Sequence, residues 1–179
     1  MVIIRKENIM PKSKLVGLLY ESWKDFDRVL DGLTAEQALA RPNNESSFAW
    51  TLAHVTNHVD RWMNVVAQGM FPHPDTSSQE FRFGGTGIAH DWESIRGAAR
   101  DVRMAARDYL DNITDADLES VVLTDNDPKA RPDRKNLKLY SVMLRMVGHH
   151  YFHIGEIAAK RDRMGHKVGD YPGKLDETL

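Results

Sequence analysis

The chain has 179 residues, a formal net charge of -2 and a mean hydropathy of -0.50, values typical of a globular protein with one domain over residues 1–179. The near-neutral charge offers no basic surface for nucleic acid, and the lack of cysteine excludes disulfides, thiolate metal ligands and a cysteine nucleophile. No run of about 18 apolar residues occurs, so we expect a cytoplasmic protein without a membrane span.

The first amphipathic segment runs from Lys12 to Leu33. Its apolar residues recur every three or four positions with charges between them, which predicts a helix that ends near Gly32. Thr34 and Gln37 then have the spacing of a capping box. This spacing predicts a short helical turn that stops before Pro42.

The second helix is predicted from Phe48 to about Gln68, where Gly69 ends it. It carries two histidines, His54 and His58. When residues are placed at intervals of about 100°, His58 falls on the border of the apolar stripe and His54 lies further round. Periodicity alone therefore favours His58 as the inward histidine.

The segment from Phe71 to His90 contains proline and glycine and has no sustained period, so we predict a long connection that could cross the bundle. Asp91 is a predicted N-cap for a third helix, Trp92 to about Ile113. Four arginines recur on one face of this helix beside acidic residues, which favours a solvated face over an anion site. They are Arg96, Arg100, Arg103 and Arg107.

The polar segment from Leu123 to Lys135 contains two prolines and is predicted to be a loop. A fourth helix is predicted from about Asn136 to Met164, followed by Gly165 and an irregular tail. Four long helices without a convincing strand predict an all-α fold, a four-helix bundle with a long crossover connection between the second and third helices.

Three histidines lie within five residues of the fourth helix, in the sequence G-H-H-Y-F-H. His149 and His153 are four apart, which places two imidazoles on one helix face where they can share a metal ion. His150 could replace His149, although the helical wheel points it into the apolar seam, as expected of a core residue. One further histidine from the second helix would complete the three ligands typical of catalytic zinc. Glu156 is a candidate partner for a ligand, or a base.

Three segments form a pattern along the chain. The first is D-G-L-T-A-E-Q-A-L-A-R-P, between the first two helices. The second is S-S-F-A-W-T-L-A-H, which ends at His54, and the third is H-H-Y-F-H-I-G-E-I, which begins at His149. Together these segments resemble the DinB-like family of bacterial four-helix-bundle proteins, which includes bacillithiol- and mycothiol-dependent transferases. Their order and separation along the chain make the resemblance specific.

The resemblance implies a bundle, usually a homodimer, that binds a divalent metal such as zinc or nickel through His54, His149 and His153. It therefore implies His54 where the helical wheel favoured His58. Glu156 stands where the family often has Gln, and Ile154 where it often has Arg, so the substrate class is not carried over.

The function expected from the resemblance is a metal-dependent reaction on a small molecule. A transferase that uses a low-molecular-weight thiol is the leading hypothesis, with hydrolysis as a related reaction. The alternative is a non-enzymatic metal-binding or stress-response protein in which the three-histidine site is structural or vestigial.

Overall fold

The computed structural model describes residues 13–122, 136–173 and 175. Within these residues the protein is helical, contains no β-strand, and has no helix long and apolar enough to cross a membrane. The all-α prediction is confirmed. The five α-helices are α1 (Lys14–Leu30), α2 (Ala35–Leu39), α3 (Phe48–Val59), α4 (Trp92–Leu110) and α5 (Leu139–Arg163).

Side-chain caps define where three of the helices begin. Thr34 forms the predicted capping box at α2. At α3 the hydroxyl of Ser47 accepts a hydrogen bond from the backbone N–H of Trp50 at 3.0 Å. At α4 the carboxylate of Asp91 accepts one from the backbone N–H of Ser94 at 2.9 Å. These bonds satisfy N–H groups that have no partner within the helix, which is why the sequence located the starts well.

The helix ends differ from the prediction where the backbone leaves the helical region. The first predicted helix stops at Leu30 because Gly32 adopts a left-handed conformation, with φ of 73°. The fourth begins at Leu139 because Lys138 is extended, with ψ of 149°, and Asn136 before it has a φ of 55°, outside the helical range. The predicted loop from Leu123 to Lys135 lies outside the described residues.

The second predicted helix changes its hydrogen-bonding pattern part of the way along. After α3 the chain continues as a π-helical segment, Asp60–Val66. A π-helical turn is wider than an α-helical turn. The spacing of apolar residues does not show this change, because the buried side chains of the π-helical segment still lie on the inner face of the helix. Two of those inner residues, Asp60 and Asn64, are polar.

The core shows how the helices run relative to one another. At one end, the first halves of α1 and α5 pack with the π-helical segment and the second half of α4; at the other end, α3 and the first half of α4 pack with the second halves of α1 and α5. Thus α1 and α5 run in one direction, and α3 and α4 in the other. The connection from residue 67 to 91 therefore returns the chain across the length of the bundle.

The arginine face of α4 is only partly solvated. Arg103 forms an ion pair with Asp27 of α1 at 2.6 Å, and its side chain is 14% exposed. Arg107 lies over the ring of Tyr20, 4.3 Å from the centroid. The prediction of a solvated face is therefore wrong for Arg103, which instead links α4 to α1.

Asn64 joins the π-helical segment to α4. Its side-chain amide donates to Asp60 Oδ1 at 2.9 Å and to the carbonyl oxygen of Val102 at 3.2 Å, and all three residues are buried.

We expect Asn64→Leu to lower the free energy of unfolding by about 3 kcal/mol, because a buried carboxylate oxygen of Asp60 then loses a donor. Urea unfolding measures this change. Asn112→Leu, at an exposed position after α4, is the control and should change the free energy of unfolding by less than about 0.5 kcal/mol. Equal effects of the two substitutions would contradict the expectation.

Candidate metal centre

Three histidines converge in the middle of the bundle, where α3 packs against α5. His54 comes from α3, and His149 and His153 come from successive turns of α5. The Nε2 atom of His149 lies 3.1 Å from Nε2 of His54 and 3.2 Å from Nε2 of His153. One ligand atom from each residue lies within 4.8 Å of the others. The fold thus brings together two segments that are far apart in the sequence.

The imidazole of His54 is held from two sides. Its Nδ1 lies 2.7 Å from the carbonyl oxygen of Phe81, so Nδ1 carries the proton and donates. The ring stacks on Trp50 with centroids 4.9 Å apart and planes within 5°. The indole N–H of Trp50 in turn donates to the carbonyl oxygen of Glu80 at 2.7 Å. These contacts leave the lone pair of His54 Nε2 directed at the other histidines.

The imidazole of His153 is oriented by a carboxylate. Its Nδ1–H donates to Glu156 Oε2 at 2.8 Å. The second oxygen of Glu156 accepts from Lys160 Nζ at 2.5 Å, and Lys160 also donates to the carbonyl oxygen of Ser46 at 3.0 Å. The hydrogen bond from His153, helped by Lys160, lowers the pKa of Glu156 to about 2 against the effect of burial. Glu156 is therefore an ionised acceptor with both oxygens engaged, an arrangement that suits a partner of a ligand better than a free base.

The hydrogen bonds of the three rings fit a cation at their centre. The Nε2 atoms of His54 and His153 both present lone pairs, and a neutral His149 can donate to only one of them. The Nδ1 of His149 is buried without a hydrogen-bond partner among the described residues. Either tautomer of His149 therefore leaves a nitrogen unsatisfied, whereas an ion would accept all three lone pairs. The ligand nitrogens of one tetrahedral zinc ion would lie about 3.3 Å apart, close to the two Nε2–Nε2 separations in the structure.

Burial favours the neutral form of His54 and His149. Removal from water lowers the pKa of His149 to about 3, and it lowers the pKa of His54 as well; the neighbouring His153 acts in the same direction on both. A neutral imidazole has the lone pair that a metal ion needs. His54 and His149 are thus in their ligating form at neutral pH.

His58 lies beside this group but outside it. Its ring centroid is 4.6 Å from that of His149, and its buried Nδ1 has no hydrogen-bond partner among the described residues. Burial lowers the pKa of His58 to about 2. The helical wheel indicated that His58 points inward, but it could not indicate which histidine of α3 faces His149 and His153 on α5.

His150 is a core residue, as the wheel indicated. Its side chain is fully buried, and its Nδ1–H donates to the carbonyl oxygen of Met146 at 2.7 Å. The ring meets Phe26 edge-on, with centroids 5.8 Å apart. It therefore points away from the position in which it could replace His149.

Sequence reasoning missed two groups that shape the site. The carbonyl oxygen of Phe81 belongs to a segment with no periodic pattern, and a backbone acceptor has no sequence signal. Lys160 was detectable in principle, because it lies four residues after Glu156, the spacing of an ion pair on a helix.

The family comparison agrees with this geometry. The family model described as the DinB superfamily matches residues 18–157, which is most of the chain and includes all three histidines. No curated protein matches the sequence at a significant level. The structure of the described residues is an all-helical bundle, and it contains a three-histidine group that could hold a metal ion. The chain therefore belongs to the DinB superfamily.

Proposed function

We propose that the protein is a metal-dependent enzyme that binds one divalent ion, zinc or nickel, through His54, His149 and His153. The observation that carries this proposal is the convergence of three Nε2 atoms whose lone pairs cannot all be satisfied by protons within the group. The group has three members among the described residues. Three protein ligands are typical of catalytic zinc, whereas structural sites commonly use four.

The reaction we propose is transfer of a low-molecular-weight thiol, or a related metal-assisted reaction on a small molecule. A bound divalent ion supplies a Lewis acid that lowers the pKa of a thiol or of water. The chain's own residues fix the ligands for this chemistry. The carbonyl of Phe81 sets the tautomer of His54, Glu156 sets that of His153, and Lys160 neutralises the carboxylate.

An assay of the metal-loaded protein with several thiols and electrophilic acceptors tests this proposal. We expect loss of free thiol at least about 100-fold faster with wild type than with His153→Ala, because removal of a ligand takes away the Lewis acid. His90→Ala, at an exposed histidine outside the site, is the control and should match wild type. Stoichiometric metal without turnover of any thiol would contradict thiol transfer and favour the non-enzymatic alternative.

A further inference from the structure

The connection from α3 to α4 is docked on the helix that precedes it. Four side chains, at spacings of four, three and three along that helix, each form a hydrogen bond with the backbone of the connection. Such spacings place the four side chains on one face of the helix. We call this face the docking face: Trp50, His54, Asn57 and Asp60.

The hydrogen bonds of the docking face reach backbone atoms over residues 73–81. Asn57 Nδ2 donates to the carbonyl oxygen of Thr76 at 2.7 Å, and Asp60 Oδ2 accepts from the backbone N–H of His73 at 2.8 Å. The other two side chains donate to the carbonyl oxygens of residues 80 and 81, at 2.7 Å each. Backbone groups taken from water need partners of this kind. Docking of the connection therefore depends on side chains of the helix, and one of them is a proposed metal ligand.

A tight turn fixes the end of the docked segment. The backbone N–H of Gly85 donates to the carbonyl oxygen of Arg82 at 2.8 Å. A Cβ atom added to Gly85 would overlap the carbonyl oxygen of Glu80 and would lie 2.9 Å from that of Arg82. Both obstacles are backbone atoms, so no side chain can move aside. Glycine at this position therefore lets the carbonyls of Glu80 and Phe81 face α3.

We infer that docking of the connection and binding of the metal ion stabilise each other, with Gly85 as a positioning residue for the site. His54 belongs to both. When its Nε2 binds an ion, the ring proton resides on Nδ1, where it donates to the carbonyl oxygen of Phe81. When that carbonyl is docked, it keeps the proton on Nδ1 and leaves Nε2 free to bind. The factor by which docking raises metal affinity is therefore the factor by which the metal favours docking. This inference rests on the proposed metal site.

Gly85→Ala tests the effect of docking on the metal. The added methyl group displaces the carbonyl of Glu80, so we expect a zinc affinity at least about 10-fold below that of wild type, as for loss of a ligand's hydrogen-bond partner. Competition between the full-length protein and a zinc chelator measures the affinity. Gly97→Ala, on α4, is the control and should match wild type, because its Cβ atom would make only an ordinary contact with Arg100 at 3.7 Å.

Asn57→Leu loosens docking without changing the sequence of the connection. It removes the donor to the carbonyl oxygen of Thr76, five residues before Phe81, and leucine favours a helix, so α3 should stay intact. We expect zinc affinity to fall at least about 3-fold, the equivalent of one hydrogen bond passed on through docking. Asn112→Leu, at an exposed position after α4, is the control and should bind zinc as wild type does.

Hydrogen exchange of the full-length protein measures the reverse effect, that of the metal on docking. In wild type, zinc should slow exchange of the backbone amides of residues 78–87 by at least about 10-fold, because undocking then costs the same factor. In Gly85→Ala these amides should exchange fast with or without saturating zinc, while unchanged exchange in α4 shows that the bundle stays folded.

The outcomes separate the coupling from the metal site itself. Equal zinc affinity in wild type, Gly85→Ala and Asn57→Leu would overturn the coupling and leave the three-histidine site standing. Exchange of residues 78–87 that is the same with and without bound zinc would do so as well. A wild type that binds no zinc would overturn both the site and the coupling.

Discussion

Protein purified from cells grown with zinc and nickel is expected to carry close to one divalent ion per chain, and His149→Ala or His153→Ala is expected to lose most of it. Loss of a hydrogen-bond partner of a ligand already weakens metal binding by about 10- to 100-fold, so loss of a ligand should exceed about 100-fold. Elemental analysis by mass spectrometry gives the content, and competition with a chelator gives the affinity. A wild-type protein free of metal would contradict the site.

The two histidines of α3 provide the sharpest comparison. His54→Ala is expected to lose the ion, because Nε2 of His54 lies in the group, whereas His58→Ala is expected to retain it. His90→Ala, at an exposed position, is the control for nonspecific binding by imidazole. If His54→Ala retains metal and His58→Ala loses it, the assignment taken from the family motif is wrong and the helical wheel identified the ligand.

The helical wheel predicted the directions of the α5 side chains well, because the spacing of residues along one helix fixes the angles between their side chains around the helix axis. A spacing of four set His149 and His153 on one face, and an offset of one residue placed His150 in the core. Both features are local, so no knowledge of the partner helix was needed. The same property explains why the caps at Thr34 and Asp91 could be located from the sequence.

The choice between His54 and His58 depends on information that no single helix contains. Both histidines are largely buried, and only the position of α5 against α3 decides which one meets the pair. The group that fixes the tautomer of His54 is a backbone carbonyl, 27 residues further along the chain in the connection to α4. Family motifs preserve such tertiary information, which is why the resemblance implied His54 where periodicity did not.

Acidification should destabilise the metal-free protein strongly. The folded state holds His58 and His150 neutral, with burial lowering their pKa values to about 2 and about 3 from the usual 6.5. Below about pH 6.5 the unfolded chain therefore binds more protons than the folded one, and the free energy of unfolding falls as the pH falls. Between pH 7 and 5 each histidine contributes a loss of about 2 kcal/mol. His149 acts in the same direction.

Urea unfolding of chelator-treated protein at pH 7, 6 and 5 measures this loss. In His150→Leu the decrease from pH 7 to 5 should be smaller than in wild type by about 2 kcal/mol, because one proton-binding group of the unfolded chain has gone. His90→Gln removes an exposed histidine and should leave the decrease unchanged. A decrease that is identical in wild type and His150→Leu would mean that His150 is protonated in the folded protein. Its buried Nε2, which has no partner among the described residues, argues against that, because a charged imidazole there would need an acceptor.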